Sequence, residues 1–147
     1  MKIKIFSAFF MLIVLMTGCK KEEVLSKTDL LTRKSWVFTA IRSQTNGGNW
    51  TDDFSSFTAC EKDNTVTFTS SGSYVVDEGA TKCRSTDPQV QESGTWRFTT
   101  NETKISIGTT STEVWSILQL DANVLKIQVQ STSGTSTYTT EATFGHL

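Results

Sequence analysis

The sequence predicts an all-β fold, an eight-stranded antiparallel up-and-down β-barrel that follows a short helical turn. Three observations support this prediction. Serine, threonine and glycine are frequent and there is one proline. Helical periodicity is almost absent, and apolar residues alternate with polar residues in several short segments. A sheet of eight such strands has two exposed edges, and closing the sheet into a barrel removes both of them.

The first two elements are a helical turn and a long strand. Ser26 and Asp29 have the spacing of a helix N-cap pair ahead of the apolar residues 30–31. The first strand is predicted at 36–43, where one face carries a row of apolar side chains: Trp36, Phe38 and Ala40. A polar segment at 44–49 ends this strand and begins a long loop that reaches Cys60.

Seven further strands follow at short intervals. They are predicted at 65–69, 74–77, 94–99, 104–107, 113–119, 124–130 and 137–144. In the seventh strand of the barrel, Leu125, Ile127 and Val129 alternate with polar residues. Such alternation gives each strand one apolar face that turns toward a common core. The interior of an eight-stranded barrel is just wide enough for side chains or for one small ligand.

Residues 1–18 have the order of a secretory signal peptide, with Lys2 and Lys4 before an apolar run and small residues after it. The apolar run of about 12 residues is shorter than the ~20 that span a bilayer as a helix. A transmembrane anchor is therefore the weaker alternative. Residues 15–19, Leu-Met-Thr-Gly-Cys, resemble a bacterial lipobox. This resemblance implies cleavage before Cys19 and acylation of its thiol, for example with palmitate, whereas a secreted protein with a free Cys19 is the alternative.

Residues 20–23, Lys-Lys-Glu-Glu, follow the cysteine directly. They resemble the export signal of surface lipoproteins from Bacteroidetes-type bacteria, which implies lipid anchoring in the outer membrane and exposure on the cell surface. A solvated tether is the alternative interpretation of these charges. We therefore expect residues 19–29 to form a flexible tether between the lipid and a domain at 30–147.

Charge and cysteine content exclude some functions. Removing residues 1–18 leaves 12 basic and 15 acidic side chains, a net charge of 12 − 15 = −3, which argues against a nucleic-acid partner. Cys60 and Cys83 then form an even pair in an oxidising compartment, and we expect a disulfide between them. A metal pair or a reactive thiol is the alternative. Because no histidine or further cysteine lies nearby in the sequence, we expect no metal and no cofactor.

Several short motifs occur in an order that resembles a known family. They are Leu-Leu-Thr-Arg-Lys-Ser-Trp at 30–36, Cys-Glu-Lys-Asp at 60–63, Thr-Phe at 67–68, Gly-Ser-Tyr at 72–74, Cys83, and Gly-Thr-Trp at 94–96. This set is similar to the lipocalin-like domain of lipoproteins from Bacteroidetes-type bacteria. Arg33 and Lys34 stand where that family often has glycine. The resemblance covers about 30–144 and implies a lipocalin-type barrel with a binding role, without catalytic residues or an agreed substrate.

Aromatic residues are the main candidates for a binding site. Ligand pockets are mostly apolar, and one set of aromatic side chains has the positions to line such a pocket or to fill a solid core: Trp36, Phe38, Phe68, Tyr74, Trp96, Phe98, Trp115 and Tyr138. A second set, Trp50, Phe54 and Phe57, lies in the loop after the first strand. This loop either shapes the barrel mouth and contacts a glycan or protein partner, or packs over the barrel end.

We expect a small hydrophobic or amphipathic ligand inside the barrel. The alternative is a non-enzymatic accessory subunit or glycan-binding module with a filled core. We expect no enzymatic activity, because the single histidine, His146, lies one residue from the C-terminus, where chains are often frayed. The acidic pairs at 52–53 and 77–78 are interpreted as solvated turn residues, and the weaker alternative at 52–53 is a calcium site.

Overall fold

Antiparallel strands dominate the protein and close on themselves. The computed structural model describes residues 24–109 and 112–146, so the predicted signal peptide, Cys19 and the charged motif at 20–23 lie outside the described residues. The strands are β1 Trp36–Thr45, β2 Thr51–Asp52, β3 Thr65–Phe68, β4 Ser73–Asp77, β5 Val90–Thr99, β6 Lys104–Gly108, β7 Glu113–Leu120, β8 Leu125–Ser133 and β9 Ser136–Gly145. The helices are α1 Lys27–Thr32, a 3₁₀ turn at Phe54–Ser56 and α2 Ala59–Lys62.

Barrel closure is made by the first and last long strands. Each strand from β3 to β8 pairs antiparallel with the next one along the chain, and β1 pairs with β9 from Val37–Gly145 to Thr45–Tyr138. On its other edge β1 meets β3 through Trp36–Val66 and Val37–Thr65 only. This confirms the all-β, up-and-down barrel of eight strands, with the two-residue β2 as an addition.

Helix α1 covers one end of the barrel. The predicted cap is present, because the Asp29 backbone N–H donates to Ser26 Oγ at 3.0 Å and the Ser26 backbone N–H donates to the Asp29 carboxylate at 3.1 Å. Leu31 on this helix is fully buried, and its carbonyl oxygen accepts a 2.8 Å hydrogen bond from Trp36 Nε1. The helix begins at Lys27, within the residues 19–29 that were predicted as a tether. Within 24–109 and 112–146, no helix is long and apolar enough to cross a membrane.

Strand β1 contains a bulge that the alternation pattern did not predict. Its register with β9 shifts between Phe38, which pairs with Phe144, and Ala40, which pairs with Thr143. An extra residue in one strand reverses the faces of the residues that follow it. Ala40 is therefore exposed on the outer wall, contrary to the prediction, and Ile41 takes the inward position.

The segment between β1 and β3 is also more ordered than a plain loop. β2 pairs with Arg42 and Ser43 of β1, on the edge that β3 leaves free. Two helical turns follow, and α2 begins with a capping box in which Thr58 and Glu61 exchange hydrogen bonds. The predicted loop at 44–60 therefore contains short elements that the sequence analysis did not identify, because local caps and the free edge of β1 supply backbone hydrogen bonds.

Candidate functional site

The two ends of the barrel differ. The end covered by α1 also carries the turns after β3, β5 and β7, and the Lys27 ammonium donates to the Glu102 carbonyl oxygen of the β5–β6 turn at 2.6 Å. The opposite end carries the segment at 46–64 and the connection at 78–89. We call these the closed end and the open end.

The closed half of the barrel interior is packed with large side chains. The largest fully buried ones are Trp36, Tyr74, Phe68, Phe144, Leu31, Ile105 and Leu125. Phe68 contacts Trp96 edge-on with ring centroids 5.7 Å apart, and Trp115 in the same manner at 6.2 Å. This half therefore forms a solid core that fixes the strand register.

The open half contains a cavity of about 270 Å³. Its walls come from β1, β7, β8 and β9, and are apolar apart from two side chains; the lining residues are Phe38, Ile41, Glu113, Trp115, Ile127, Val129, Thr140, Ala142 and Phe144. Small-molecule sites are typically apolar concavities of ~300–1,000 Å³ with a few polar groups. At about 270 Å³ the cavity lies just below that range, so it has room for one small ligand.

Aromatic rings form the floor of this cavity. The rings of Phe38 and Phe144 lie 4.5 Å apart, and Trp115 stacks on Phe144 at 6.0 Å with an angle of 22° between the planes. Because Trp115 also contacts Phe68 in the core, the floor is held by the packed half of the barrel. A ligand in the cavity would meet a rigid aromatic surface.

Acidic groups lie beside the cavity on the inner wall. Glu113, the first residue of β7, lines the cavity, and its Oε1 accepts a 2.8 Å hydrogen bond from Trp115 Nε1.

On β5, Glu92 accepts a hydrogen bond from the hydroxyl of Tyr74. The Tyr74 ring lies across Gly94, where a Cβ atom would come within 2.8 Å of Tyr74 Cε1. Glycine at this position lets the phenol reach the Glu92 carboxylate.

These carboxylates affect the ionisation of Tyr74. Burial raises the pKa of Tyr74 to about 12, assisted by the hydrogen bond to Glu92 and by the negative charges of Glu92 and Glu113. The Tyr74 side chain is only 1% exposed, so it stays neutral and donates a hydrogen bond to Glu92 throughout the physiological pH range.

The mouth-loop aromatics occupy different places. Phe57 contacts the cavity residue Phe38 edge-on at 6.5 Å, and Phe54 packs on Phe57 at 5.8 Å. These two residues therefore pack over the barrel end. Trp50 instead lies on the outer wall, 36% exposed, with the guanidinium of Arg42 4.3 Å from its ring centroid.

A disulfide joins the two connections at the open end. Cys60 of α2 is bonded to Cys83 of the β4–β5 connection, with their Cα atoms 5.2 Å apart, as the pairing of the two cysteines predicted. Glu78 supports the same region: it is 3% exposed, and its Oε2 accepts a 3.2 Å hydrogen bond from the Cys83 backbone N–H. The interpretation of Glu78 as a solvated turn residue is therefore wrong.

The structure separates the predicted ligand-lining residues into three groups. Phe38 and Trp115 line the cavity. Trp36, Phe68, Tyr74 and Trp96 are buried in the core beneath it. Tyr138 lies on the same face of β9 as the cavity residues Thr140 and Ala142. It is near the open end of that strand and is 44% exposed, so it does not line the cavity. The aromatic residues alone therefore do not define the site.

Several cavity residues were absent from the predicted site. Ile127, Val129, Ala142 and Phe144 belong to alternating strands, and that alternation was the available signal. Ile41 was hidden by the bulge in β1. Glu113 was missed because a carboxylate at the start of a strand resembles an ordinary turn residue.

His146 is held in place rather than frayed. Its ring lies 4.1 Å from that of Trp36, and its Nδ1 donates to the Ser35 carbonyl oxygen at 2.8 Å. Those contacts are at the closed end, so the expectation of a frayed terminus is wrong at this residue. The contacts give His146 a packing role beside β1.

Another depression of about 280 Å³ lies along β5 and β6. Its lining includes the outward-facing polar residues Thr95, Arg97 and Ser106. It therefore opens on the outer wall, whereas the cavity between β1 and β7–β9 lies inside the barrel and is apolar. The interior cavity is the stronger candidate for a small-molecule site.

Comparison with known families agrees with this architecture. Residues 33–127 match the family model described as a lipocalin-like domain, which covers β1 to the first part of β8. No match to a curated protein is found. Since the matched segment is well over half of the chain, this protein belongs to the family of lipocalin-like domains.

Proposed function

We propose that this protein binds one small hydrophobic or amphipathic molecule in the cavity at the open end of its barrel. The observation that supports the proposal is a cavity of about 270 Å³ with apolar walls inside a lipocalin-like barrel. Each CH₂ group buried there contributes about 0.8 kcal/mol, from which the cost of immobilising the ligand is subtracted. For an eight-carbon probe this gross gain is about 6 kcal/mol, so we expect a dissociation constant weaker than about 20 μM.

Filling the cavity with a larger side chain tests this proposal. Ala142 is buried in the cavity wall, so Ala142→Leu would place three additional carbon atoms where the ligand lies. Calorimetric titration with 1-octanol should show binding to the wild-type protein and at least tenfold weaker binding to this variant. The fold of each protein is checked by its circular dichroism spectrum and thermal unfolding.

The matched control is Ala40→Leu, the same substitution on the outer wall of β1. It should leave octanol binding within about twofold of wild type, because Ala40 does not line the cavity. Equal binding to both variants would place the probe elsewhere on the protein. Absence of binding to the wild-type protein would refute the proposal.

We further propose that the domain is tethered to the outer membrane through acylated Cys19 and is displayed at the cell surface. The lipobox-like residues 15–19 and the charged residues 20–23 support this proposal. The described chain enters the fold at α1, on the closed end. A tether attached there would leave the cavity mouth directed away from the bilayer.

Two measurements test the anchor. Cys19→Ser should move the protein from the membrane fraction to the soluble fraction, because acyl chains supply the membrane affinity. Retention of this variant in membranes would contradict acylation. Protease added to intact cells should degrade the wild-type protein, and full protection would contradict surface display.

A further inference from the structure

We propose that the ligand is an amphipathic cation, whose positively charged head lies beside Glu113 while its apolar body occupies the cavity. This inference rests on the proposed function and concerns the same cavity. It adds the sign of the ligand's charge, which neither the barrel fold nor the family match specifies.

The charge of the cavity wall is the first argument. Among the described residues that line the cavity, Glu113 alone is charged, and Glu92 lies on the same inner wall through its contact with Tyr74. The basic side chains of β1 and β8 that flank the cavity face the outer wall. Arg42 and Lys126 are on the outer wall, and Lys62 Nζ lies 5.1 Å from the ring centroid of Phe54.

The second argument is that the two inner carboxylates lack a cationic partner. Ion pairs within 24–109 and 112–146 involve Glu141 alone, which binds Arg42 at 2.6 Å and Lys126 at 2.9 Å. In the described part of the chain, the donors to Glu113 and Glu92 are neutral groups, the Trp115 indole and the Tyr74 phenol. Glu113 and Glu92 are exposed to solvent at the open end, so an ammonium group entering the cavity would meet two accessible negative charges, whereas a carboxylate ligand would be repelled.

Aromatic residues provide the third argument. Phe38, Trp115 and Phe144 form the cavity floor, and the faces of such rings attract cations. The hydrogen bond from Trp115 Nε1 to Glu113 joins the aromatic floor to the carboxylate. An apolar cavity with aromatic walls and one fixed carboxylate therefore favours an amine over a neutral or anionic molecule of equal length.

Three probes of one chain length separate charge from hydrophobicity. The wild-type protein is titrated with octylammonium, 1-octanol and octanoate at pH 7, using tryptophan fluorescence and calorimetry. We expect octylammonium to bind about 5- to 20-fold more tightly than octanol, and octanoate more weakly than octanol, with the preference shrinking as salt is added. Equal affinities for the three probes, or tighter binding of octanoate, would overturn the inference.

Replacing glutamate with glutamine keeps the side-chain shape and removes the charge. Such variants therefore measure how much each carboxylate contributes to the preference for octylammonium. Glu113→Gln should reduce the preference for octylammonium over octanol at least fivefold, because it removes the charge while glutamine can still accept the indole hydrogen bond. Glu92→Gln should also reduce the preference for octylammonium, by a smaller factor. An unchanged preference in Glu113→Gln would overturn the inference.

The control is Glu102→Gln, which removes the same charge from an exposed turn at the closed end. It should retain the full preference for octylammonium. A loss as large as that of Glu113→Gln would show that net charge, and not the cavity, governs binding, and would overturn the inference.

The two proposals can fail separately. If octanol binds to the cavity but octylammonium binds no more tightly, the proposed function stands and the cationic ligand class is wrong. If none of the three probes binds, both proposals are wrong.

Discussion

At the scale of single residues, Tyr74 connects the packed core to the acidic wall. Its ring is buried against Gly94 and its hydroxyl reaches Glu92, so one side chain belongs to both regions. The sequence predicted Tyr74 as an inward aromatic residue, and that orientation is correct. Its partner Glu92 could not be predicted, because the pairing depends on the register between β4 and β5.

The ionisation of Tyr74 gives a test at this scale. In a Tyr138→Phe protein Tyr74 is the only tyrosine, and its tyrosinate absorbance should appear with a pKa of about 12. Adding Glu92→Gln or Glu113→Gln should lower that pKa, because each removes a negative charge that opposes ionisation. A midpoint near 10, unchanged by either substitution, would contradict the described inner wall.

The raised pKa of Tyr74 determines how the stability of the folded protein changes with pH. The folded protein favours neutral Tyr74, so this stabilisation is fully present below pH 10 and is lost as pH rises toward 12. Replacing Tyr74 with Phe should remove that alkaline loss of stability and cost about 1–3 kcal/mol at neutral pH, since the hydrogen bond to a charged acceptor disappears.

At the scale of elements, the disulfide and the short turns organise the open end. Cys60–Cys83 joins α2 to the β4–β5 connection, and Phe57 of the same segment reaches the cavity residue Phe38. The disulfide was predictable, because two cysteines remained after Cys19 was assigned to lipid. The helical turns at 54–62 were not, because their stability depends on packing against β1 as well as on local caps.

Removing the disulfide should destabilise the protein. The bond joins residues 23 positions apart, and cross-links of this length stabilise by about 2–4 kcal/mol. We expect the Cys60→Ser, Cys83→Ser double variant to lose about that free energy of unfolding in urea titrations. Reductant should lower the stability of the wild-type protein and leave the double variant unchanged. Equal stability of both proteins without reductant would contradict a structural role for the bond.

At the scale of the whole molecule, the long β1–β9 pairing holds the barrel closed. On the outer wall of this seam Glu141 is 8% exposed and binds Arg42 across β1–β9 and Lys126 across β8–β9. Burial raises the pKa of Glu141, but the hydrogen bonds and charges of Lys126 and Arg42 outweigh burial and lower the pKa below its usual value of 4.5.

This ion network predicts sensitivity to acid. A carboxyl group with a lowered pKa in the folded state stabilises the protein above pH 4.5 and loses that effect as pH falls through the lowered value. Glu141→Gln should therefore cost about 1–3 kcal/mol at pH 7 and show a shallower loss of stability between pH 5 and pH 3. Urea unfolding at several pH values measures both effects, with Glu102→Gln as the control.

Part of the acid sensitivity should remain in the Glu141 variant. Hydrogen bonds lower the pKa of three exposed carboxyl groups as well: Asp29 through Ser26, Glu61 through Thr58, and Asp121 through Asn123. An identical pH profile for wild type and Glu141→Gln would contradict the role of the network at the seam.

The barrel itself was predictable from sequence because period-two alternation and short turns are local signals. The eight predicted strands correspond to β1 and β3–β9, and β5 begins at Val90, earlier than expected. The cavity was less predictable. Whether Trp36 or Trp115 borders the cavity depends on how the inner faces of all eight strands pack together. In addition, the bulge in β1 places Ala40 on the outer wall and Ile41 in the cavity lining.

The most direct test of the account is the position of a bound probe in solution. Nuclear Overhauser effects between 1-octanol and methyl groups of the ¹³C-labelled protein should arise from Ile41, Ile127, Val129 and Ala142, which line the cavity. Contacts confined to Val114 and Leu118, which are exposed on β7, or no contacts at all, would contradict a ligand-binding interior.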